Sequence, residues 1–181
     1  MTGLEIELKA GLTAADAALL ARRLGRLAGP ASAPLKLAAV YYDTEGRRLA
    51  QEGIALRVRR EDGLLVQTVK AGRTQLGGFH QVREVSARLT RPAPNPEAVA
   101  DQTLRARILD LIAKEPLQKQ FETRVSRRLW RVQHEHGMVE VALDRGEIRA
   151  GAAVDPIREV EFELLGDRGR FGAELPGDVL R

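Results

Sequence analysis

Leu4-Glu5-Ile6-Glu7-Leu8-Lys9 alternates apolar and charged residues one for one. A period of two is that of a strand, so Leu4, Ile6 and Leu8 share one face and Glu5, Glu7 and Lys9 the other. Carboxylates two positions apart on a strand lie about 7 Å apart. Like charges at that distance repel unless water screens them or a cation sits between them. Hard cations such as Mg²⁺ take carboxylate oxygens readily. Taken alone, the pattern is that of an amphipathic strand with its charges in solvent. It recurs, however, near the other end of the chain. In the stretch 157–165, Glu159, Glu161 and Glu163 line one face and Val160, Phe162 and Leu164 the other.

Further strands lie between these two. Leu37 to Tyr42 reads as one, closed by the turn-forming Asp43-Thr44-Glu45-Gly46. Ile54 to Arg60 puts Arg57 and Arg59 opposite Ile54, Leu56 and Val58; Glu61-Asp62-Gly63 is its hairpin turn. Leu64 to Lys70 returns, and Ala71 to Gly78 reads as a glycine-rich loop. Phe79 to Leu89 carries His80, Val82, Glu84 and Ser86 on one side. Gln120 to Val132 is a strand turning at His134-Glu135-His136-Gly137. Met138 to Asp144 sets Glu140, Ala142 and Asp144 against Val139, Val141 and Leu143, and Gly146 to Gly151 reads as a turn region with room for a short strand in it. Two helices interrupt the strands. One is capped by Thr13 with Asp16 and stopped by Gly29-Pro30; the other spans Glu97 to about Lys114 and ends at Pro116. Short turns between strands make the sheet largely antiparallel.

Composition narrows the class. A chain of 181 residues with 44% hydrophobic content supports one domain, residues 1–181, with a real core. There is no cysteine, which excludes disulfides and thiolate metal sites. No apolar run is long enough for a membrane span and no basic-then-apolar leader opens the chain, so a cytoplasmic protein without a membrane partner is the expectation. The formal charge is +4, and arginine greatly outnumbers lysine. Arginine forks suit phosphate oxygens, so an anionic partner is expected. At 4% aromatic content, stacking platforms for single-stranded nucleic acid are disfavoured.

The charged faces are sorted by sign. Acidic strands stand at the chain's two ends, with Glu140 and Asp144, and basic ones (Arg57, Arg59, Lys70, Arg127) between them. In a closed antiparallel barrel each strand has one inward and one outward face. If helices cover the outside, the apolar residues point outward and the charges point in. The interior is then a polar tunnel, with an acidic side for divalent metal and a basic side for a polyanion.

These segments resemble the CYTH domains, the triphosphate tunnel metalloenzymes. The resemblance is carried by Glu5-Ile6-Glu7-Leu8-Lys9, Tyr41-Tyr42-Asp43-Thr44, Gly53-Ile54-Ala55-Leu56-Arg57-Val58-Arg59 and Thr68-Val69-Lys70. It continues through Gly77-Gly78-Phe79-His80 with Glu84, Val139-Glu140-Val141-Ala142-Leu143-Asp144 and Glu159-Val160-Glu161-Phe162-Glu163, in the family's order. It is strongest toward bacterial inorganic triphosphatases. It implies an α+β fold, a closed eight-stranded antiparallel β-barrel with helices packed outside, and Mg²⁺- or Mn²⁺-dependent hydrolysis of inorganic triphosphate to pyrophosphate and phosphate. Glu5, Glu7, Glu159, Glu161 and Glu163 would then be metal ligands, and Asp144 would sit near the metals or orient water. Lys9, Arg57, Arg59, Lys70 and Arg127 would hold phosphates, with Glu84 beside them; Arg127 is preferred to Arg124 and Arg128 for its spacing before Trp130. The catalytic set is Glu5, Glu7, Lys9 and Asp144. Dimers are common among relatives, so a homodimer is expected by analogy alone.

The chain departs from the family in two places. Relatives carry Arg-x-Glu-x-Glu after the Gly-Gly loop, whereas Val82, Glu84 and Ser86 stand here, with Arg83 one place off. Either the strand shifts register or one phosphate ligand and one acid are missing. The stretch 171–181 holds Gly172, Pro176 and Gly177 and is a poor version of the family's closing helix. The departure at Val82 and Ser86 keeps open a polyphosphate- or nucleotide-binding module with little turnover. Thiamine triphosphatase and class IV adenylate cyclase activity use the same framework. Nucleic-acid binding ranks lower, because the basic residues alternate with acidic ones. His134 and His136 have metal-ligand spacing but sit in a turn, and Trp130 and Phe162 are expected under the helices.

Overall fold

The computed structural model describes residues 2–61, 63–76, 79–134 and 137–165; side chains are described from residue 7 onward, except those of 61, 73–76 and 79–82. The order is β1 (Thr2–Gly11), α1 (Ala14–Ala28), β2 (Leu35–Asp43), α2 (Arg48–Gln51), β3 (Ile54–Glu61), β4 (Leu64–Leu76) and β5 (Phe79–Leu89). After a 3₁₀ turn (Pro96–Ala98) come α3 (Gln102–Ile112), β6 (Gln118–His134), β7 (Gly137–Ala150) and β8 (Ala153–Leu165).

The eight strands pair antiparallel in the cyclic order β1-β5-β4-β3-β2-β6-β7-β8, which closes a barrel. β1 carries the seam. It joins β5 from Thr2↔Val85 to Leu8↔Phe79, and β8 only from Glu7↔Glu163 to Gly11↔Glu159. The first and last strands thereby become neighbours, and the acidic strands β1, β7 and β8 form one contiguous wall.

The apolar face of each strand is covered from outside. Leu56, Val69 and Val85 pack with Leu49 of α2 and Leu104, Ile108 and Leu111 of α3. Trp130, Val141, Val160 and Phe162 pack around Leu24 of α1, as their spacing predicts. Thr13 caps α1, accepting from the Asp16 N–H at 3.1 Å, and Asp101 caps α3 through Leu104 N–H at 2.9 Å. That cap starts α3 at Gln102, later than the expected Glu97, and leaves 96–98 as a 3₁₀ turn.

Two glycine-rich readings are corrected. The loop expected over residues 71–78 is strand as far as Leu76, because a register shift between Ala71 and Thr74, with Gly72 at φ 70°, lets β4 continue as a bulged strand. In the turn region expected over 146–151, the strand is not a short separate one but β7 itself, which runs as far as Ala150. A Cβ at Gly146 would lie 2.0 Å from the Arg124 carbonyl oxygen, so this glycine serves close approach of β6 and β7. The turn itself is Gly151-Ala152. β8 accordingly starts at Ala153, before the expected Ile157. It holds Pro156 where β8 has no partner in β1 and no second ladder needs its N–H.

Candidate functional site

Residues directly opposite in an antiparallel ladder project to the same side. The faces opposite the two apolar clusters therefore line the barrel interior. On β8 they are Glu159, Glu161 and Glu163, and on β1 Glu7 and Lys9. Glu163 stands across from Glu7 on one side and from Glu140 of β7 on the other. Lys9 stands across from Glu161, and Glu159 from Asp144. On the other wall, Arg57 and Arg59 of β3 face Thr68 and Val66 of β4, and Lys70 faces Glu84 of β5. Arg127 of β6 faces Asp144. Glu5 lies on β1 across from Val82, and both side chains lie outside the described residues.

Ion pairs knit this interior together. Lys9 Nζ meets Glu159 at 2.5 Å and Glu161 at 3.2 Å. Arg127 donates to both Asp144 oxygens, at 2.8 and 2.6 Å, and reaches past β7 to Glu161 at 2.5 Å. Lys70 lies 3.2 Å from Glu84 and, past β5, 3.7 Å from Glu7. Burial opposes ionisation of Glu161, but Arg127 and Lys9 outweigh it and hold its carboxyl below the usual range. Burial likewise opposes the charge on Lys9, and Glu159 and Glu161 outweigh it, raising the ammonium. Glu163 goes the other way. Burial first, then the carboxylates of Glu140, Glu7 and Glu84, hold it above the ordinary range, with Lys70 offsetting only part. Three facing carboxylates on adjacent strands, one reluctant to ionise, are a hard-oxygen donor set suited in chemistry to a divalent cation. Among the described residues no three acidic or histidine side chains are yet gathered closely enough to form a cage. Several of these carboxylates are held by lysine and arginine.

The departure on β5 is now explained. From Arg83 onward the strand keeps its register with β4, Glu84 facing Lys70 and Ser86 facing Thr68, while the bulge after Ala71 falls opposite Val82. Arg83 lies on the outer face, ion-paired with the α3 cap Asp101. Ser86 Oγ lies 3.1 Å from Thr68 Oγ1 and donates to Glu84 Oε1 at 3.2 Å, so hydroxyls line this part of the wall.

Sequence reasoning put Glu140 on an inward acidic face without assigning it to the site, and it left out Tyr41 and Phe121 as lining residues. Glu140 was visible through its alternation with Val139 and Val141. Tyr41 stacks on Phe121, ring centroids 4.4 Å apart, and Arg57 Nη1 reaches its hydroxyl at 3.5 Å. Only the barrel's cyclic order brings that pair into the interior. Asp43, two residues on, is structural. It is buried and accepts from the N–H groups of Thr44, Leu49 and Ala50, holding α2. The pair Gly77-Gly78, His136 and the stretch 171–181 lie outside the described residues, as does the side chain of His80. No described helix is long and apolar enough to cross a membrane.

The CYTH domain model matches residues 3–176. A Haemophilus influenzae protein named inorganic triphosphatase is 32% identical over 161 residues, 88% of this chain and 45% of that protein. The chain thus spans about half the length of that relative. Among solved structures, HpAC1 from Hippeastrum, described as having a dominant triphosphatase activity, superposes with TM-score 0.63 at 20% identity, covering 90% of this chain and 80% of that one. A Bacillus halodurans structure described as a candidate adenylate cyclase gives 0.60 at 20%, covering 90% and 81%. At these identities the two structures speak for the fold.

Proposed function

Since the chain belongs to the CYTH family, we propose that its barrel is a triphosphate tunnel that hydrolyses inorganic triphosphate to pyrophosphate and phosphate with Mg²⁺ or Mn²⁺. The observation that carries this reading is the sorting of charge inside one barrel. Glu7, Glu163 and Glu140 face one another on the β1–β8–β7 wall, and Arg57, Arg59 and Lys70 line β3 and β4.

In this reading Arg57, Arg59, Lys70, Lys9 and Arg127 bind the phosphate oxygens and keep the anhydride chain in line. Fixed cations at those oxygens stabilise charge that grows as the bridging bond breaks. Glu7, Glu161 and Glu163, with Glu5 and Glu159 beside them, would hold the divalent cation. That cation, when bound, supplies Lewis-acid polarisation of phosphate oxygens and activation of water. Asp144 fixes the Arg127 guanidinium through two hydrogen bonds and so orients a phosphate-binding group. Glu84, itself held by Ser86 and Lys70, orients the ammonium from the other side.

Tripolyphosphate is favoured over larger substrates because no pocket for thiamine or adenine is evident in the sequence. A second reading, a polyphosphate- or nucleotide-binding module with little turnover, is supported by Ser86, a hydroxyl where relatives carry an acid. A panel of tripolyphosphate, thiamine triphosphate and ATP, assayed with Mg²⁺ and with Mn²⁺, separates these readings. Phosphate release fastest from tripolyphosphate is the expected result. Tight binding with no release from any of the three would favour the second reading.

A further inference from the structure

The interior absorbs only part of the chain's basic charge. On the outer face of the barrel Lys36 of β2, Ser126 of β6, Arg145 of β7 and Arg158 of β8 stand in one row, each directly across from the next. The row spans about 14 Å, three strand spacings. Arg124 and Arg128 flank Ser126 along β6, and Arg60 on β3 stands across from Ala38. All six cations are exposed. The cover from α1 lies farther along these strands, where Trp130, Val141 and Phe162 pack around Leu24. Among the described residues, the outward carboxylates on β6, β7 and β8 beside the row are Glu122 and Glu147, and both are engaged, by Lys119, Arg124 and Arg149; Asp16, in the first turn of α1 just beyond the Leu12 N–H that bonds the Arg158 carbonyl, accepts from the Thr13 hydroxyl. Lys36, Arg128, Arg145 and Arg158 have no carboxylate in ion-pair range among the described residues.

We propose that this outer wall binds long-chain inorganic polyphosphate. Arginine forks match phosphate oxygens in geometry as well as charge. None of the patch residues is aromatic, so nucleobases find no stacking platform. The outside of a closed barrel is convex and meets a rigid duplex, also convex, along little more than a line; a flexible unbranched polyanion can follow it. The choice of ligand rests on the tunnel reading, since such a chain is built from the same phosphoanhydride units as the proposed substrate. The patch itself does not depend on that reading.

The test uses fluorescently end-labelled polyphosphate of about a hundred units, a length chosen to span many cations. Binding is followed by anisotropy, and tripolyphosphate hydrolysis is assayed separately on the same preparations. The outer triple variant Arg128→Glu/Arg145→Glu/Arg158→Glu should lose about a hundredfold in long-chain affinity while hydrolysing tripolyphosphate like the wild type. The inner variant Arg57→Ala should do the reverse. If the glutamate variant does not fold, Arg128→Gln/Arg145→Gln/Arg158→Gln takes its place, with about a tenfold loss expected. Unchanged long-chain affinity in the folded outer variant overturns the proposal. So does wild-type binding of single-stranded RNA of matched charge as tight as that of polyphosphate, which would assign the wall to nucleic acid. A wild type that binds the long chain through this patch yet does not hydrolyse tripolyphosphate would overturn the tunnel reading alone.

Discussion

Glu7 faces Glu163 directly across the β1–β8 seam, the short ladder that turns eight strands into a ring. Without that seam the two glutamates would stand on opposite edges of an open sheet. With it, residues 156 positions apart become cross-strand neighbours, and Glu140 extends the row on the far side of β8. Carboxylates directly opposite one another weaken a sheet unless something compensates.

The raised Glu163 carboxyl gives a stability prediction with a definite sign. Its folded pKa exceeds the unfolded value, so the stability it contributes is present below about pH 4.3 and is lost as pH rises through the folded pKa. At neutral pH the ionised group weighs against the fold. In EDTA at neutral pH, Glu163→Gln should therefore melt above the wild type. Mg²⁺ should raise the wild type more than the variant and narrow the gap. A variant that melts lower in EDTA would contradict this origin of the shift.

The interior pairs predict mutual help between metal and anion. Lys9 and Arg127 now hold Glu159, Glu161 and Asp144. A triphosphate that takes the cations releases carboxylates to a metal, and the converse also holds. Titration calorimetry should find tripolyphosphate binding about 5- to 150-fold tighter with Mg²⁺ than with EDTA, the range of ordinary coupling energies. Equal affinities would mean that the pairs do not open on binding.

Arg127 joins two interior carboxylates, Asp144 and Glu161, and Asp144 beneath it is buried. Removing the guanidinium leaves that carboxylate uncompensated. Arg127→Ala should cost about 3 kcal/mol in urea denaturation, and Arg127→Ala/Asp144→Asn should recover part of the loss. Equal stability of the single and double variants would remove the argument for burial.

Gly146 predicts a backbone effect. A methyl group at 2.0 Å from the Arg124 carbonyl cannot be accommodated without parting β6 from β7. Gly146→Ala should therefore destabilise by about 3 kcal/mol or more, read as a lowered melting temperature. A change under about 0.5 kcal/mol would show that the ladder has slack there.

These particulars show which parts of the molecule the sequence discloses. The strands with strict alternation, Ile54 to Arg60 and the segment ending in Glu159-Val160-Glu161-Phe162-Glu163, were legible because one face had to meet a helix. Arg127 was separable from Arg124 and Arg128 by the same parity, counted back from the buried Trp130. Gly72 and Gly146 misled, because glycine serves a bulge or a close backbone approach as readily as a turn. The commitment of Arg83 to Asp101, and the meeting of Tyr41 with Phe121, depend on which elements become neighbours in the ring. Local pattern carries no trace of either. The outer arginine patch was hidden for a related reason. Net charge counts inward and outward residues alike, and only the pairing register separates them.

The central claim is that facing carboxylates inside the barrel serve the hydrolysis of a triphosphate. Its most direct test is phosphate release from tripolyphosphate with Mg²⁺ by the wild type and by Glu7→Gln, with melting curves to confirm that both are folded. The account predicts a drop of about a hundredfold or more in kcat/KM for the variant and loss of wild-type activity in EDTA. A folded Glu7→Gln protein that works as fast as the wild type, or a wild type indifferent to EDTA, would contradict it.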